Sequence, residues 1–192
     1  DYLIISHPHV DHIRDILNLG KVEPAVLRAK HVPREQLIPS DVKENDLQIL
    51  EAYLGLRSRY KGPVSPDRNP NSSSWGNHSY FTCYSIDADW ETEPNNSSIV
   101  TFYKTGQFTL LYPGDIESRG WNELLKNEDF VNDLKTTCFL IASHHGREKG
   151  FLQEAMNIST PQLVIISDSC FKDTSATNRY SNQASGFNMI NE

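Results

Sequence analysis

The sequence predicts a layered α/β fold, and three observations carry that expectation. Short apolar runs alternate with stretches of helical periodicity. Two β-rich runs, residues 99–103 and 108–112, flank Gly106 and predict an antiparallel hairpin, so a purely parallel sheet fits badly. Residues of metal-binding type stand at the ends of three separate apolar runs, at His7, Asp115 and His144. Rigid strand ends are what fix donor geometry when ligands come from distant parts of a chain.

The elements follow in order. Residues 2–5 form a buried strand, and Ile13, Ile16 and Leu17 then give a short helix closed by Gly20. Residues 26–29 read as a strand. Ser40 and Asp41 open a longer helix, with Asp41 and Glu44 as a capping box and Leu47, Leu50 and Leu54 as a stripe continued by Ile49 and Tyr53, ended by Gly62-Pro63. Residues 64–79 are polar and long enough for a flexible loop or a lid carrying Trp75. A strand over 80–86 precedes the hairpin. Helical patterning resumes at Trp121, Leu124 and Leu125, and again over 151–156, with core strands at 137–142 and 163–167. The polar tail from Cys170 onward gives no clear signal.

Composition sets the broad class. A net charge of −7 with 38% hydrophobic residues suits one domain with a real core over 1–192, and it excludes a chain that coats nucleic acid by bulk charge. No run is long and apolar enough to span a bilayer. Cys83, Cys138 and Cys170 are odd in number and include no C-x-x-C pair, which points to thiols in a reducing, cytoplasmic setting.

The chemistry concentrates in Ser6-His7-Pro8-His9-Val10-Asp11-His12, an H-x-H-x-D-H cluster directly after the first strand. Imidazole and carboxylate suit zinc and related divalent ions, and packing does not explain so many of them together. A Gly-Asp turn such as Gly114-Asp115 is by itself only a turn. Beside this cluster and Ser143-His144-His145-Gly146, it becomes part of a candidate centre.

H-x-H-x-D-H after an apolar strand resembles the signature of the metallo-β-lactamase superfamily of dinuclear metallohydrolases. The resemblance implies an αββα sandwich and two divalent metal ions. Carried over by motif, His7 and His9 would bind the first ion and Asp11 and His12 the second. Asp115 would bridge the two, and His144 would complete the second shell, with His145 the alternative there. The family usually places one more His ahead of the bridging Asp. Only His31 and His78 lie in that interval, and His78 sits in the long polar loop. The segment Asn95-Asn96-Ser97-Ser98 stands where that ligand is missing. With the hairpin, Gly-Asp and His-His-Gly, it resembles the hydrolase domain of bacterial competence DNA-uptake channel proteins and its stand-alone relatives. Asn178-Arg179-Tyr180 resembles that branch's last motif, but the Gly-His-Pro that follows there is absent here. The superfamily fold sets several strands ahead of the H-x-H-x-D-H strand, so the resemblance also implies an upstream segment or further domain before Asp1.

The expected activity is metal-dependent hydrolysis through a metal-bridging hydroxide. Asp11 would orient it or accept its proton, and His145 would serve phosphate or the leaving oxygen. Asn96, Ser98 and Arg147 are the candidate substrate contacts. Zinc suits the histidine-rich set, and manganese would suit an oxygen-richer site at Asn96. Basic clusters at Arg28, Lys30, His31 and Arg34, at Arg57, Arg59 and Lys61, and at Arg147 and Lys149 could cradle nucleic acid or another phosphodiester. The expected reaction is therefore that of a phosphodiesterase or nuclease. The alternatives are hydrolysis of a small ester, thioester or lactam, or a catalytically weak binding module.

Overall fold

A computed structural model of the chain describes residues 2–21, 23–68, 79–167 and 174–186. The fold is mixed α/β. Strand β1 (Tyr2–Ile4) pairs in parallel with β2 (Val26–Arg28), with Leu3 opposite Leu27. The second sheet holds β3 (Ser79–Tyr84), β4 (Val100–Thr105), β5 (Phe108–Tyr112), β6 (Phe139–Ile141) and β7 (Leu163–Ile165), side by side in chain order. β3, β4 and β5 run antiparallel, whereas β5, β6 and β7 run parallel. The expected hairpin is therefore present, with Thr105 opposite Phe108 across a turn in which Gly106 has φ 56°. The position of Trp75, most of its loop, His78 and Cys170 lie outside the described residues.

The first helical stretch differs from its expectation. α1 (Val10–Ile13) is one turn, and a 3-10 stretch continues over Arg14–Lys21, so Gly20 lies inside it. A 3-10 helix has three residues per turn, which aligns Ile13, Ile16 and Leu19 on one side. Ile13 and Ile16 are buried there, while Leu17 is turned out to solvent.

After the single turn α2 (Arg34–Leu37), the long helix α3 covers Glu44–Arg59. It starts later than Ser40 and Asp41, at an N-cap Lys43 that makes no side-chain cap, so the predicted capping box does not form. Its inward face is Ile49, Leu50, Tyr53 and Leu56. These residues pack with Ile5, Ile13, Ile16 and Val32 into one core cluster under β1. Leu47 and Leu54 lie at the margins of that face, because packing against α1 and the 3-10 stretch sets the helix's rotation.

The larger cluster packs helices on the five-stranded sheet. α4 (Ser118–Leu124), α5 (Glu128–Leu134) and α6 (Gln153–Ser159) contribute Trp121, Phe130, Leu134 and Met156, all fully buried against Val100, Phe102, Leu111 and Leu140. The sequence reading missed α5, although its start is encoded. Asn127 accepts from the backbone N–H groups of Asp129 and Phe130 through its side chain, as an N-cap should. The tail forms α7 (Thr177–Ser181), whose Tyr180 is buried against Phe151.

The two sheets meet beside the first motif, where Ile99 N–H donates to the Ser6 carbonyl at 2.8 Å. Among the described residues no helix is long and apolar enough to cross a membrane.

Phe130 packs edge-on against Tyr84 and Phe102 and beside Trp121. Phe130→Ala should therefore lower the unfolding free energy by about 3–5 kcal/mol, and Asn127→Ala by about 1 kcal/mol. Urea denaturation of the two variants should rank them in that order.

Candidate metal centre

The centre forms where three chain segments stop being regular. His7 to His12 follow β1, Asp115 follows β5, and His144 and His145 follow β6. β5 and β6 are parallel neighbours, so their carboxyl ends open on the same edge of the sheet. Clefts at such strand ends are common ligand sites in α/β folds.

Backbone geometry at these ends is unusual and well supported. Gly114 has φ 63°, and a Cβ there would lie 2.8 Å from Ser98 Oγ and 2.9 Å from Ser6 Cβ. Only glycine lets β5 turn so tightly against the first motif. His144 and His145 also have positive φ, 50° and 59°, which costs non-glycine residues about 1–3 kcal/mol each. The turn is held by His144 N–H donating to the Gly114 carbonyl and Ala176 N–H to the Gly146 carbonyl. From inside, the buried Ser143 hydroxyl donates to the Ile116 carbonyl at 2.5 Å. The result presents both imidazoles to Asp115.

Asp11, His12, Asp115 and His145 each offer one ligand atom, and these atoms lie within 4.8 Å of one another. His12 Nε2 is 3.1 Å from Asp115 Oδ1. His145 Nε2 is 3.1 Å from Asp11 Oδ2 and 3.5 Å from Asp115 Oδ2. His12 Nε2 is buried and makes no aligned hydrogen bond. A nitrogen that lies near a carboxylate without aligning on it fits two donors aimed at a common point. The donor set of two imidazoles and two carboxylates suits zinc and also tolerates manganese.

This compact set contains His145 where the sequence reading preferred His144. His144 Nε2 stands 4.0 Å from Asp115 Oδ2, and its Nδ1 is 3.2 Å from Glu117 Oε1. The swap follows from the left-handed backbone at both residues, which the order of residues along the strand does not reveal.

His7 and His9 flank the other side of Asp115. His7 is fully buried, with Nε2 4.0 Å from Asp115 Oδ2 and 3.0 Å from His9 Nδ1. Its Nδ1 lies 3.2 Å from both Ser6 Oγ and Ser98 Oγ. A proton on Nδ1, donated to a serine oxygen, frees Nε2 as a lone-pair donor. The His9 ring rests on Trp90, with centroids 5.2 Å apart.

Asn96 and Ser98 are buried, and Asn96 also lines the cleft beside Glu117. Asn96 Oδ1 accepts from the N–H groups of Glu117 (2.9 Å) and Gly120 (3.2 Å) at the start of α4. Ser98 Oγ accepts from Asp115 N–H at 3.0 Å. Their side chains thus hold Asp115 and the start of α4. Arg147 Nη1 donates to Thr174 Oγ1 at 3.1 Å. The other basic clusters are largely engaged. Arg34 pairs with Glu51, Arg59 with Glu23, and Lys30 donates to the Ile86 carbonyl. Ser6, Ser143 and Glu117 were missed in the sequence, where nothing local distinguishes them from ordinary turn residues.

Burial is the largest influence on His7 and pushes its pKa down to about 3, with the His12 charge acting in the same direction. Burial also lowers His9. The His145 contact holds the Asp11 carboxyl well below the usual range, and the same contact raises His145. For Asp115, burial pushes the carboxyl up, but His12, His7 and His145 together outweigh it and leave it lowered.

The chain matches no protein-family model and no curated protein.

The metal-free protein carries His7 neutral, whereas the unfolded chain protonates it below about 6.5. The unfolded state then binds the extra proton, so this residue removes stability as pH falls from about 6.5 toward 3. Urea midpoints of metal-free protein measured between pH 7 and 4 should fall more steeply for wild type than for His7→Asn.

Proposed function

We infer that the chain is a divalent-metal-dependent hydrolase with a metallo-β-lactamase-type αββα sandwich, acting on a phosphodiester. The observation that carries this reading is the convergence of Asp11, His12, Asp115 and His145 within 4.8 Å, from three strand ends, with a buried His12 nitrogen that lies 3.1 Å from Asp115 Oδ1 without an aligned hydrogen bond. Support for the fold comes from two sheets with helices packed on them and from a site gathered at their carboxyl ends.

Divalent ions held by these residues would acidify a coordinated water and neutralise charge that develops on a phosphoryl group. The chain's own groups do the rest. Asp115 presents Oδ1 to His12 and Oδ2 to His7, His144 and His145, so one carboxylate faces four histidines of the site. Asp11 is half-exposed and ionised, so it can take a proton from the attacking water. His145 stands beside it, with Nε2 toward Asp11 and Asp115 and Nδ1 3.3 Å from Ser167 Oγ, which fixes the ring's orientation in the set. Ser6 and Ser98 hold His7, and Ser98 also fixes the backbone of Asp115.

A cleft of about 450 Å³ adjoins the His144 side through Glu117. Asn95, Arg119 and Lys149 line it, and Arg119 is paired with Glu93 there. Lys149 and Arg119 are matched there by Glu93 and Glu117, so the choice of a phosphodiester over a neutral ester or lactam rests on the resemblance of the motifs and not on the charge of this cleft.

Purified protein loaded with Zn²⁺ or Mn²⁺ should hydrolyse bis-p-nitrophenyl phosphate or DNA, and EDTA should abolish the activity. Asp115→Ala should cost about 10²-fold or more, on the scale of losing one preorganised charge-stabilising group. Metal-loaded protein that turns over no phosphodiester, with Asp115→Ala indistinguishable from wild type, would sink this reading. Turnover of a thioester or lactam alone would reassign the substrate class.

A further inference from the structure

A charged pocket at the end of α3 takes no part in the metal centre. Its cavity, of about 350 Å³, opens between the last turn of α3, the start of β2 and the chain that follows the helix. Arg57, Arg59, Lys61 and Arg68 line it, and among the described side chains no acidic group does. We propose that this pocket binds the phosphate or diphosphate group of a small phosphorylated ligand, with the Arg57 guanidinium as its fixed anchor. The site stands apart from the metal-dependent reading given above.

Three observations lead to it. The first is a guanidinium held in place with one edge unused. Arg57 Nη1 donates to the Tyr60 carbonyl at 2.8 Å, and Tyr60 N–H donates back to the Arg57 carbonyl. This exchange closes the helix end and fixes the group, yet Arg57 Nε is buried and meets no acceptor. A buried charged donor without a partner is costly. A planar guanidinium fork matches two oxygens of one phosphate.

The second is an excess of positive charge. Basic residues in the last turn of a helix offset its dipole. That accounts for Arg57 and Arg59, but not for Lys61 and Arg68, which come from the chain beyond the helix. Arg59 faces Glu23 at 3.8 Å, but both side chains are more than half exposed, so the pair neutralises little. Arg57 and Lys61 also line the next cleft along α3, of about 480 Å³, where Arg34 is already paired with Glu51. The unmatched charge therefore gathers at the end of the helix. A phosphate group carries about −1.5 to −2 charges and a diphosphate more, so four cations can neutralise either.

The third is position. Leu27 lines the pocket and stands opposite Leu3, four residues before His7. At ~3.3 Å per residue this is roughly 13 Å of extended chain. A phosphate seated on Arg57 is therefore a different group from one at the metal centre.

Isothermal titration calorimetry of metal-free protein with inorganic pyrophosphate, and separately with inorganic phosphate, tests the assignment. One pyrophosphate should bind per chain. Lys61 and Arg68 are exposed, and Lys61→Gln and Arg68→Gln should each weaken binding several-fold. Arg57→Lys keeps the charge, loses the fork and should weaken binding by about 10-fold or more. Arg34→Gln and Asp115→Ala should leave it unchanged. Far-ultraviolet circular dichroism should show each variant folded; if Arg57→Lys is not, the two exposed variants decide the outcome. Failure to bind either anion at millimolar concentration overturns the assignment, as does binding indifferent to Lys61→Gln and Arg68→Gln. Sulfate that competes as well as pyrophosphate reduces the pocket to a counter-ion patch and also overturns it. Loss of binding in Asp115→Ala moves the phosphate to the metal centre. A short DNA oligomer that binds far more tightly than pyrophosphate makes this face a nucleic-acid contact. Either of these two results overturns the small-ligand assignment.

Discussion

The structure depends on one buried carboxylate. Asp115 is 4% exposed, and an ionised carboxyl at such a position is costly unless it is surrounded by donors or positive charge. Its backbone N–H is given to Ser98, its Oδ1 faces His12, and its Oδ2 faces His7, His144 and His145. Every unusual local feature nearby serves that arrangement. Gly114 lets the chain turn into the site, and the left-handed pair His144 and His145 aims two rings back at it. Ser143 ties the pair's base to the Ile116 carbonyl just beyond Asp115.

Electrostatics distinguish the two sides of this carboxylate. On one side, the two carboxylates of Asp11 and Asp115 stand around His145. On the other, His7 is neutral and deeply buried, linked to His9 and two serine hydroxyls. The first side gathers negative charge. The second offers neutral lone pairs whose direction depends on which ring nitrogen holds the proton. A site of this form is asymmetric before any ion enters it.

Much of the frame was legible in the sequence because the relevant signals are local. Period-two runs and a glycine turn gave the hairpin, and Val26 and Leu163 were read onto strands that exist. The stripe of α3 gave a helix and three residues of its buried face, Ile49, Leu50 and Tyr53, but missed Leu56 and included Leu47, which lies at the margin. Periodicity establishes that a face is apolar; only the neighbouring element establishes which edge of it is covered. The 3-10 form of Arg14–Lys21 was missed for a related reason, because Ile13 and Ile16 fit either period. Asn127 at the head of α5 was a readable cap that a short helix with few apolar residues did not bring to notice.

The candidate site divides along the same line. From the sequence alone came the residue types, the clustering of His7 to His12, and the expectation that Asp115 and a histidine after β6 would join them. These follow from chemistry carried by neighbouring residues and from the tendency of strand ends to present side chains. The tertiary structure alone decided that His145 joins Asp11 and His12 while His144 turns to Glu117. It also decided that Asn96 and Ser98 hold the site from behind. Those choices depend on positive backbone angles, on close approach at glycines and on hydrogen bonds between residues far apart in the chain. None of these leaves a trace in residue order, because each exists only once the strands have been packed side by side.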